Sequence, residues 1–122
     1  MFVSTFSRYP MFGSGGDGTQ LTVQQVSERL KAPNPPKLLD TRSQAEYEIV
    51  HLANSILATD EVVNEALQNW DNNAEIICVC HHGIRSLNAA QFLRKQGFTN
   101  VRSMSGGLDA WSQQIDPQLP RY

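Results

Sequence analysis

The sequence contains few cysteines, a balanced charge and no extended hydrophobic run. Its 122 residues include only two cysteines, Cys78 and Cys80, which are separated by one residue. Such a pair cannot cross-link distant segments, so the sequence does not resemble a disulfide-stapled secreted domain, and a reducing compartment is favoured. Ten Lys and Arg stand against twelve Asp and Glu. This balance argues against the basic surface of a nucleic-acid-binding protein.

Apolar runs and targeting signals are also lacking. The longest uninterrupted apolar run, residues 76–80, is far shorter than the roughly 20 residues that span a bilayer. The N-terminus lacks the charged start and apolar stretch of a secretory signal. We therefore expect a protein of the cytoplasm or an equivalent stroma, with neither membrane nor nucleic acid as a partner.

The chain does have the length and apolar content of one domain. A 122-residue chain with 40% hydrophobic residues can bury a core without metal or disulfide staples. Residues 1–20 combine aromatics with a Gly/Ser-rich stretch and predict a flexible leader, although the aromatics could dock on the domain or a partner. The domain is expected over residues 21–115, and residues 116–122 form an irregular tail.

Helical and strand patterns alternate along this domain. Capping-box sequences begin at Thr22 and Ser43, and Gly97 supplies a helix stop. The predicted helices cover residues 22–31, 43–50, 59–70, 86–96 and 108–114, and the predicted strands cover residues 37–41, 55–58, 75–80 and 100–104. This alternation predicts an α/β domain with a mostly parallel sheet, whose binding crevice lies at the carboxyl ends of the strands.

Cys80 ends the most apolar predicted strand and precedes a loop, residues 81–85, that leads into a helix. A free thiol is only a few per cent ionised at neutral pH, so it needs stabilisation to react. A helix N-terminus supplies at most about 2 kcal/mol to an anion. The loop amides can add an anion-binding nest if Gly83 permits a close turn, and Arg85 adds positive charge. The pattern predicts a thiolate nucleophile at Cys80, with its anionic adduct in the same cradle.

Residues 80–86 read Cys-His-His-Gly-Ile-Arg-Ser and resemble the active-site loop of rhodanese domains, commonly Cys-x-x-Gly-x-Arg-Ser. Other rhodanese-type segments follow in the expected order: Leu-Leu-Asp-Thr-Arg at 38–42, Glu-Tyr at 46–47 with His51, Gly-Phe-Thr-Asn-Val at 97–101, and Gly-Gly-Leu-Asp-Ala-Trp at 106–111. Together they cover about residues 21–112. The usual pattern differs at Thr41, at Ile84 and at residues 52–56. For the change at Ile84 we expect an altered preference for the sulfur donor.

The resemblance implies a rhodanese-like fold, with a mostly parallel central sheet of about five strands and helices on both faces. It also implies a sulfurtransferase of the thiosulfate:cyanide type. Cys80 would take the outer sulfur of a donor such as thiosulfate, hold it as a persulfide, and pass it to cyanide, a thiol or a partner protein. Arg85 is the second expected catalytic residue. The expected substrate-binding residues are His81, His82, Gly83, Ile84, Ser86 and Arg42. We expect a monomer that needs no cofactor.

Alternatives to this interpretation stay open. The domain could be a persulfide carrier or binding module that turns over free thiosulfate weakly. It could also be a phosphatase or arsenate reductase, but phosphatases of related fold have a wider Cys-x5-Arg loop, whereas Cys80 and Arg85 enclose four residues. Arg85 could simply tie the loop to a carboxylate. The two histidines could act only through their backbone.

Cys78 and the residues near it also suggest a metal site, which we do not expect. Cys78, Cys80, His81 and His82 lie within five residues, but a one-residue gap in a strand does not close a tetrahedron of zinc ligands. A disulfide between residues two apart in a strand is strained. Cys78 is therefore interpreted as a buried core thiol, and Asp40 as a structural hydrogen-bonding group.

Overall fold

The computed structural model describes residues 18–121, so most of the predicted leader, residues 1–17, lies outside the described residues, as does Tyr122. The strands are β1 (Gln20–Leu21), β2 (Lys37–Asp40), β3 (Ser55–Leu57), β4 (Ile76–Val79) and β5 (Val101–Met104). The helices are α1 (Val23–Leu30), α2 (Gln44–Ile49), α3 (Asp60–Asn69), α4 (Ile84–Lys95) and α5 (Gly107–Gln114). None of the helices within these residues is long and apolar enough to cross a bilayer.

The five strands form one sheet in the order β1-β5-β4-β2-β3, and every neighbouring pair is parallel. All four residues of β4 are buried, which explains why the strand that is apolar on both faces takes the central place. Cys78 lies opposite Leu39 of β2 and Ser103 of β5. The predicted α/β class and the parallel sheet of about five strands are confirmed.

Helices cover both faces of the sheet. Successive residues of β4 point to opposite sides, and each side packs against a different pair of helices. Ile76 and Cys78 belong to the buried cluster that includes residues of α3 and α4. Ile77 and Val79 belong to the cluster that includes residues of α1 and α5. The central strand is thus enclosed, and only its carboxyl end leads toward a loop that could bind a substrate.

Cys80 and Thr41 were expected to end their strands but directly follow β4 and β2, and two larger differences concern α4 and β1. Helix α4 begins at Ile84, two residues before the expected start, because Gly83 adopts φ 97° and serves as the N-cap. Strand β1 was not predicted: Thr19 accepts a hydrogen bond from the Ser103 amide at 2.7 Å, and Leu21 accepts one from Ser105 at 2.8 Å. The sheet therefore begins before the expected boundary at residue 21, while the division into leader, domain and tail stays a prediction.

Candidate active site

Cys80 directly follows β4 at the carboxyl edge of the sheet, and only 1% of its surface is exposed. The preceding carbonyl, that of Val79, accepts hydrogen bonds from both the amide and the hydroxyl of Thr41, at 2.9 and 3.0 Å. Thr41 follows the neighbouring strand β2. The strand ends are therefore held together where Cys80 leaves the sheet.

Hydrogen-bonding groups surround the sulfur atom of Cys80. The backbone amides of Gly83 and Ser86 donate to Cys80 Sγ at 3.0 and 3.3 Å. The thiol donates to Ser86 Oγ at 3.3 Å, and that oxygen lies 2.7 Å from Ser103 Oγ. Amides in the first turn of a helix have no partner within the helix, so they are available to an anion. If the thiol loses its proton, the Ser86 hydroxyl can turn and donate to the sulfur as well.

Gly83 is required by conformation and by space. Its φ of 97° lies in the left-handed region, and a Cβ there would lie 3.0 Å from the Gly106 amide nitrogen and 3.3 Å from the Met104 carbonyl oxygen. A side chain would press against the backbone between β5 and α5. The close approach brings the Gly83 amide to the sulfur.

A second helix N-terminus shapes the other side of the loop. The amides of Leu108 and Asp109, in the first turn of α5, donate to the carbonyls of Cys80 and His81 at 2.8 and 3.0 Å. A Cβ at Gly107 would overlap these same two carbonyls. The loop therefore directs its first two carbonyls to α5, while amides from Gly83 and α4 face the sulfur.

Arg85 forms a two-point ion pair with Glu46 of α2, with N–O distances of 2.8 and 3.0 Å. Glu46 is also the acidic partner in the capping box of Ser43. The side chain of Arg85 remains partly exposed. The observed contact thus ties α4 to a carboxylate, and a catalytic part for Arg85 stays a prediction.

Arg42 and Asp40 form an ion pair whose side chains are fully buried. The guanidinium donates to both Asp40 carboxylate oxygens, at 2.8 to 3.2 Å, and to the Val50 carbonyl at 2.6 Å. These bonds join β2 to the end of α2, which agrees with the structural role expected for Asp40. This geometry argues for a structural role of Arg42 too, and its expected contact with a substrate stays a prediction that the burial does not favour.

His81 and His82 lie at the outer side of the loop with their rings edge to face, the centroids 4.1 Å apart. Burial, followed by the nearby His82, lowers the pKa of His81. His82 is largely exposed, and its Nε2 lies 4.0 Å from Asp109 Oδ2. Ile84 is also exposed, whereas Ser86 is fully buried. The loop thus exposes one polar side chain, His82, and one apolar side chain, Ile84, around an enclosed sulfur.

Cys78 lies two residues from this polar site in an apolar environment. It is completely buried and makes no disulfide. Burial, with a smaller contribution from Cys80, raises its pKa far above the ordinary value of a thiol. Cys78 is therefore a core thiol, as expected.

Three contributors were missed or understated by the sequence analysis. Ser103 was treated only as part of a strand, although a serine opposite the central strand is a signal for a buried hydroxyl near the site. Asp109 was not placed beside His82. Glu46 was interpreted as a capping residue, and nothing local in the sequence indicates that Arg85 is its partner.

Comparison with known proteins gives a consistent result. The model of the family described as rhodanese-like domain matches residues 22–114. A thiosulfate sulfurtransferase GlpE of Actinobacillus pleuropneumoniae is 37% identical over 76 residues, which are 62% of this chain and 70% of that protein. The adenylyltransferase and sulfurtransferase uba4 of Ogataea parapolymorpha is 37% identical over 100 residues, 78% of this chain. The chain spans only 25% of that longer protein.

Solved structures with similar folds include a rhodanese-like domain protein from Staphylococcus aureus, with a TM-score of 0.69 and 22% identity, covering 85% of this chain and 98% of that one. The human single-domain sulfurtransferase TSTD1 gives a TM-score of 0.70 at 20% identity, covering 80% of this chain and 97% of that one. At these identities the likeness concerns the fold.

Proposed function

This chain belongs to the rhodanese-like domain family, and from that premise we propose that it transfers sulfane sulfur through a persulfide on Cys80. The donor is thiosulfate or another molecule with a terminal sulfane sulfur, and the acceptor is cyanide, a thiol or a partner protein. Its relatives in the family include sulfurtransferases. The proposed place of action is the cytoplasm, and the proposed form is a monomer that needs no cofactor.

The observation that carries this proposal is the set of hydrogen-bonding groups around Cys80 Sγ. Two amides at 3.0 and 3.3 Å and one adjacent hydroxyl stabilise negative charge on the attacking sulfur. The two amides are held in place by the fold, so they can also stabilise negative charge on the persulfide without reorganisation during the reaction. The same donors thus serve both steps.

The reaction proceeds by two displacements. The Cys80 thiolate attacks the outer sulfur of thiosulfate, a new S–S bond forms, and the old one breaks with its electron pair leaving on sulfite. The acceptor then attacks the terminal sulfur of the persulfide, and the electron pair of that bond returns to Cys80. With cyanide as acceptor the product is thiocyanate. No net oxidant or reductant is needed, and ping-pong kinetics are expected.

The burial of Cys80 limits the size of the sulfur-donating group that can reach it. With 1% of the residue exposed, the sulfur is reached by a narrow group rather than by a bulky one. Thiosulfate and persulfides present a single terminal sulfur atom, which meets this requirement. A phosphate ester would have to place three equatorial oxygens in a loop with only four residues between Cys80 and Arg85.

A second candidate, a persulfide carrier for a protein partner, is favoured by one observation. In the uba4 relative the matching region is a quarter of a longer adenylyltransferase and sulfurtransferase. A domain of this kind can pass sulfur within a larger assembly while turning over free cyanide slowly. Both candidates form the persulfide on Cys80. They differ in how fast the sulfur then passes to cyanide, so one experiment that measures the adduct and the turnover separates them.

The test is to incubate the full chain with thiosulfate and to measure the intact mass. The expected result is a gain of one sulfur atom on the wild type, removed by reductant, and none on Cys80→Ala. Adduct with rapid thiocyanate production supports the enzyme, and adduct with negligible production supports the carrier. The proposal fails if Cys80→Ala retains the adduct or the turnover, or if the folded wild type gains no sulfur.

A further inference from the structure

Three potential metal ligands meet on the outer side of the Cys80 loop. His81 and His82 follow Cys80 in the loop, and Asp109 lies in the first turn of α5. One ligand atom from each of these side chains lies within 4.8 Å of the other two. The fold therefore adds a carboxylate to the His pair, which the spacing of residues 78–82 could not reveal.

The backbone that carries these ligands is fixed. The amide of Asp109 donates to the carbonyl of His81 at 3.0 Å, and the neighbouring amide of Leu108 donates to the carbonyl of Cys80 at 2.8 Å. Gly107 permits this close packing, since a Cβ there would overlap the His81 carbonyl. A ligand that bridges the loop and α5 would thus order side chains only, and the entropic cost of binding is small.

We propose that His81, His82 and Asp109 bind a first-row transition-metal dication such as Zn²⁺. Two imidazoles with one carboxylate form a donor set that zinc accepts, and three protein ligands leave a fourth position for water or another small ligand. Calcium and magnesium prefer oxygen donors throughout, so they fit this set poorly. The site does not depend on the sulfur-transfer proposal.

Metal binding would require the ligand atoms to approach one another by up to about 1.4 Å. Metal–ligand bonds of about 2.0–2.2 Å place two ligand atoms of a tetrahedral site about 3.4 Å apart. His82 Nε2 and Asp109 Oδ2 are 4.0 Å apart. The side chain of His82 is 63% exposed, so rotation of this side chain can close its distance to Asp109. The pairs that include His81 lie within 4.8 Å, so the His81 ring has to adjust as well.

Arg121 opposes the metal. Its guanidinium donates to Asp109 Oδ1 at 2.8 and 3.1 Å, while Gln113 donates to Oδ2 at 3.0 Å. A fixed positive charge on one oxygen of the carboxylate repels a dication that approaches the other oxygen. Loss of the Arg121 charge should therefore strengthen metal binding, an effect that a merely structural Asp109–Arg121 pair does not predict.

The experiment is a titration of the full chain with Zn²⁺ against a chromogenic chelator, with Co²⁺ absorption as a second readout. We expect one equivalent of metal, at least about tenfold weaker binding in His82→Ala and in Asp109→Asn, and tighter binding in Arg121→Ala. His51→Ala is the matched control, because His51 is exposed but engages Tyr47, whose carbonyl lies 2.7 Å from its Nδ1. Its affinity should equal that of the wild type.

Cobalt separates this site from binding by the thiol. A Co²⁺ complex of His81, His82 and Asp109 should lack a thiolate-to-metal charge-transfer band, and Cys80→Ser should bind the metal as the wild type does. The proposal is overturned if no stoichiometric binding occurs, if His82→Ala and Asp109→Asn, folded by circular dichroism, bind normally, or if Cys80→Ser abolishes binding. None of these results bears on whether Cys80 carries sulfur.

Discussion

Two thiols only two residues apart occupy environments of opposite chemical character. Both are buried, Cys78 completely and Cys80 to within 1%, so exposure does not distinguish them. Cys78 packs among apolar side chains such as Ala89 and Ala90. Cys80 receives two amide hydrogen bonds at its sulfur. The comparison teaches that the end of a parallel strand, and not accessibility, gives a thiol here the hydrogen-bond donors that can stabilise its anion.

The difference arises from where the strand ladder stops. Cys78 lies in register with Leu39 and Ser103, so its surroundings are set by the sheet and by the helix packed over it. Cys80 lies just beyond the last residue of β4, where the chain turns into α4 and amides without strand partners become available. Each prediction below changes one side of this comparison.

The largest expected effect comes from exchanging each sulfur for oxygen. Cys80→Ser should lower kcat/KM for sulfur transfer at least about a thousandfold, because the hydroxyl cannot form the persulfide. Cys78→Ser should leave kcat/KM within about twofold but lower the free energy of unfolding by about 1–3 kcal/mol, because it buries a hydroxyl in an apolar cluster. Steady-state kinetics and urea unfolding measure both. Loss of turnover in a folded Cys78→Ser variant would contradict the contrast.

The next effect concerns the amide of Gly83. Gly83→Ala should lower kcat/KM about 10- to 100-fold, since displacement of a hydrogen bond to a charged sulfur costs about 1.5–3 kcal/mol. Gly97→Ala is the matched control: Gly97 has φ 107° with open space around it. Both variants should lose about 1–2 kcal/mol of stability from backbone strain. Gly83→Ala should lose more than that, because its Cβ also presses on backbone atoms, and only Gly83→Ala should lose turnover. If the two variants have equal kcat/KM, the Gly83 amide does not contribute to turnover.

A smaller effect is expected for the hydroxyl behind the sulfur. Ser86→Ala keeps the amide that donates to Cys80 and removes only Oγ, so kcat/KM should fall about three- to tenfold, as for loss of one ordinary hydrogen bond. Ser112→Ala is the control, because it also removes a buried hydroxyl. The Ser112 hydroxyl donates to the Asp109 carbonyl at 2.8 Å and not to Cys80, so kcat/KM should not change. Unchanged kinetics in Ser86→Ala would show that the two amides suffice.

The smallest effect is a difference in alkaline stability that belongs to Cys78. Its folded pKa is raised by burial above the ordinary value of 9.0, so above that pH the unfolded chain loses this proton while the folded chain keeps it. The unfolded state then binds fewer protons, and the free energy of unfolding falls as pH rises. Between about pH 8 and about pH 9.5 the wild type should lose about 0.8 kcal/mol more than Cys78→Ala. Urea unfolding measures this difference. If the free energy of unfolding changes equally in the wild type and in Cys78→Ala between the two pH values, the assignment is contradicted.

Much of this contrast could be predicted because its causes are local. The apolar run of β4 indicated a central strand, and Thr22 and Ser43 formed the expected capping boxes. The start of α4 was misplaced because the left-handed conformation of Gly83 allows helical geometry to begin directly after it. Strand β1, with only two residues, exists through its pairing with β5 and has no periodicity of its own.

The contacts that the sequence did not predict join distant segments. The Arg85–Glu46 pair links α4 to α2, and the approach of Asp109 to His82 depends on how α5 packs against the loop. Neither has a local pattern, since each depends on the three-dimensional path of the chain. The burial of Arg42 likewise depends on the path of the chain, because its guanidinium donates to the carbonyl of Val50 just after α2.

The packing of α5 against the Cys80 loop makes two distant stretches of the chain depend on each other. Because Gly107 leaves room for the carbonyls of Cys80 and His81, any side chain at position 107 would displace the loop. A redesign of either stretch therefore has to include the other, and the last helix cannot be exchanged as an independent part.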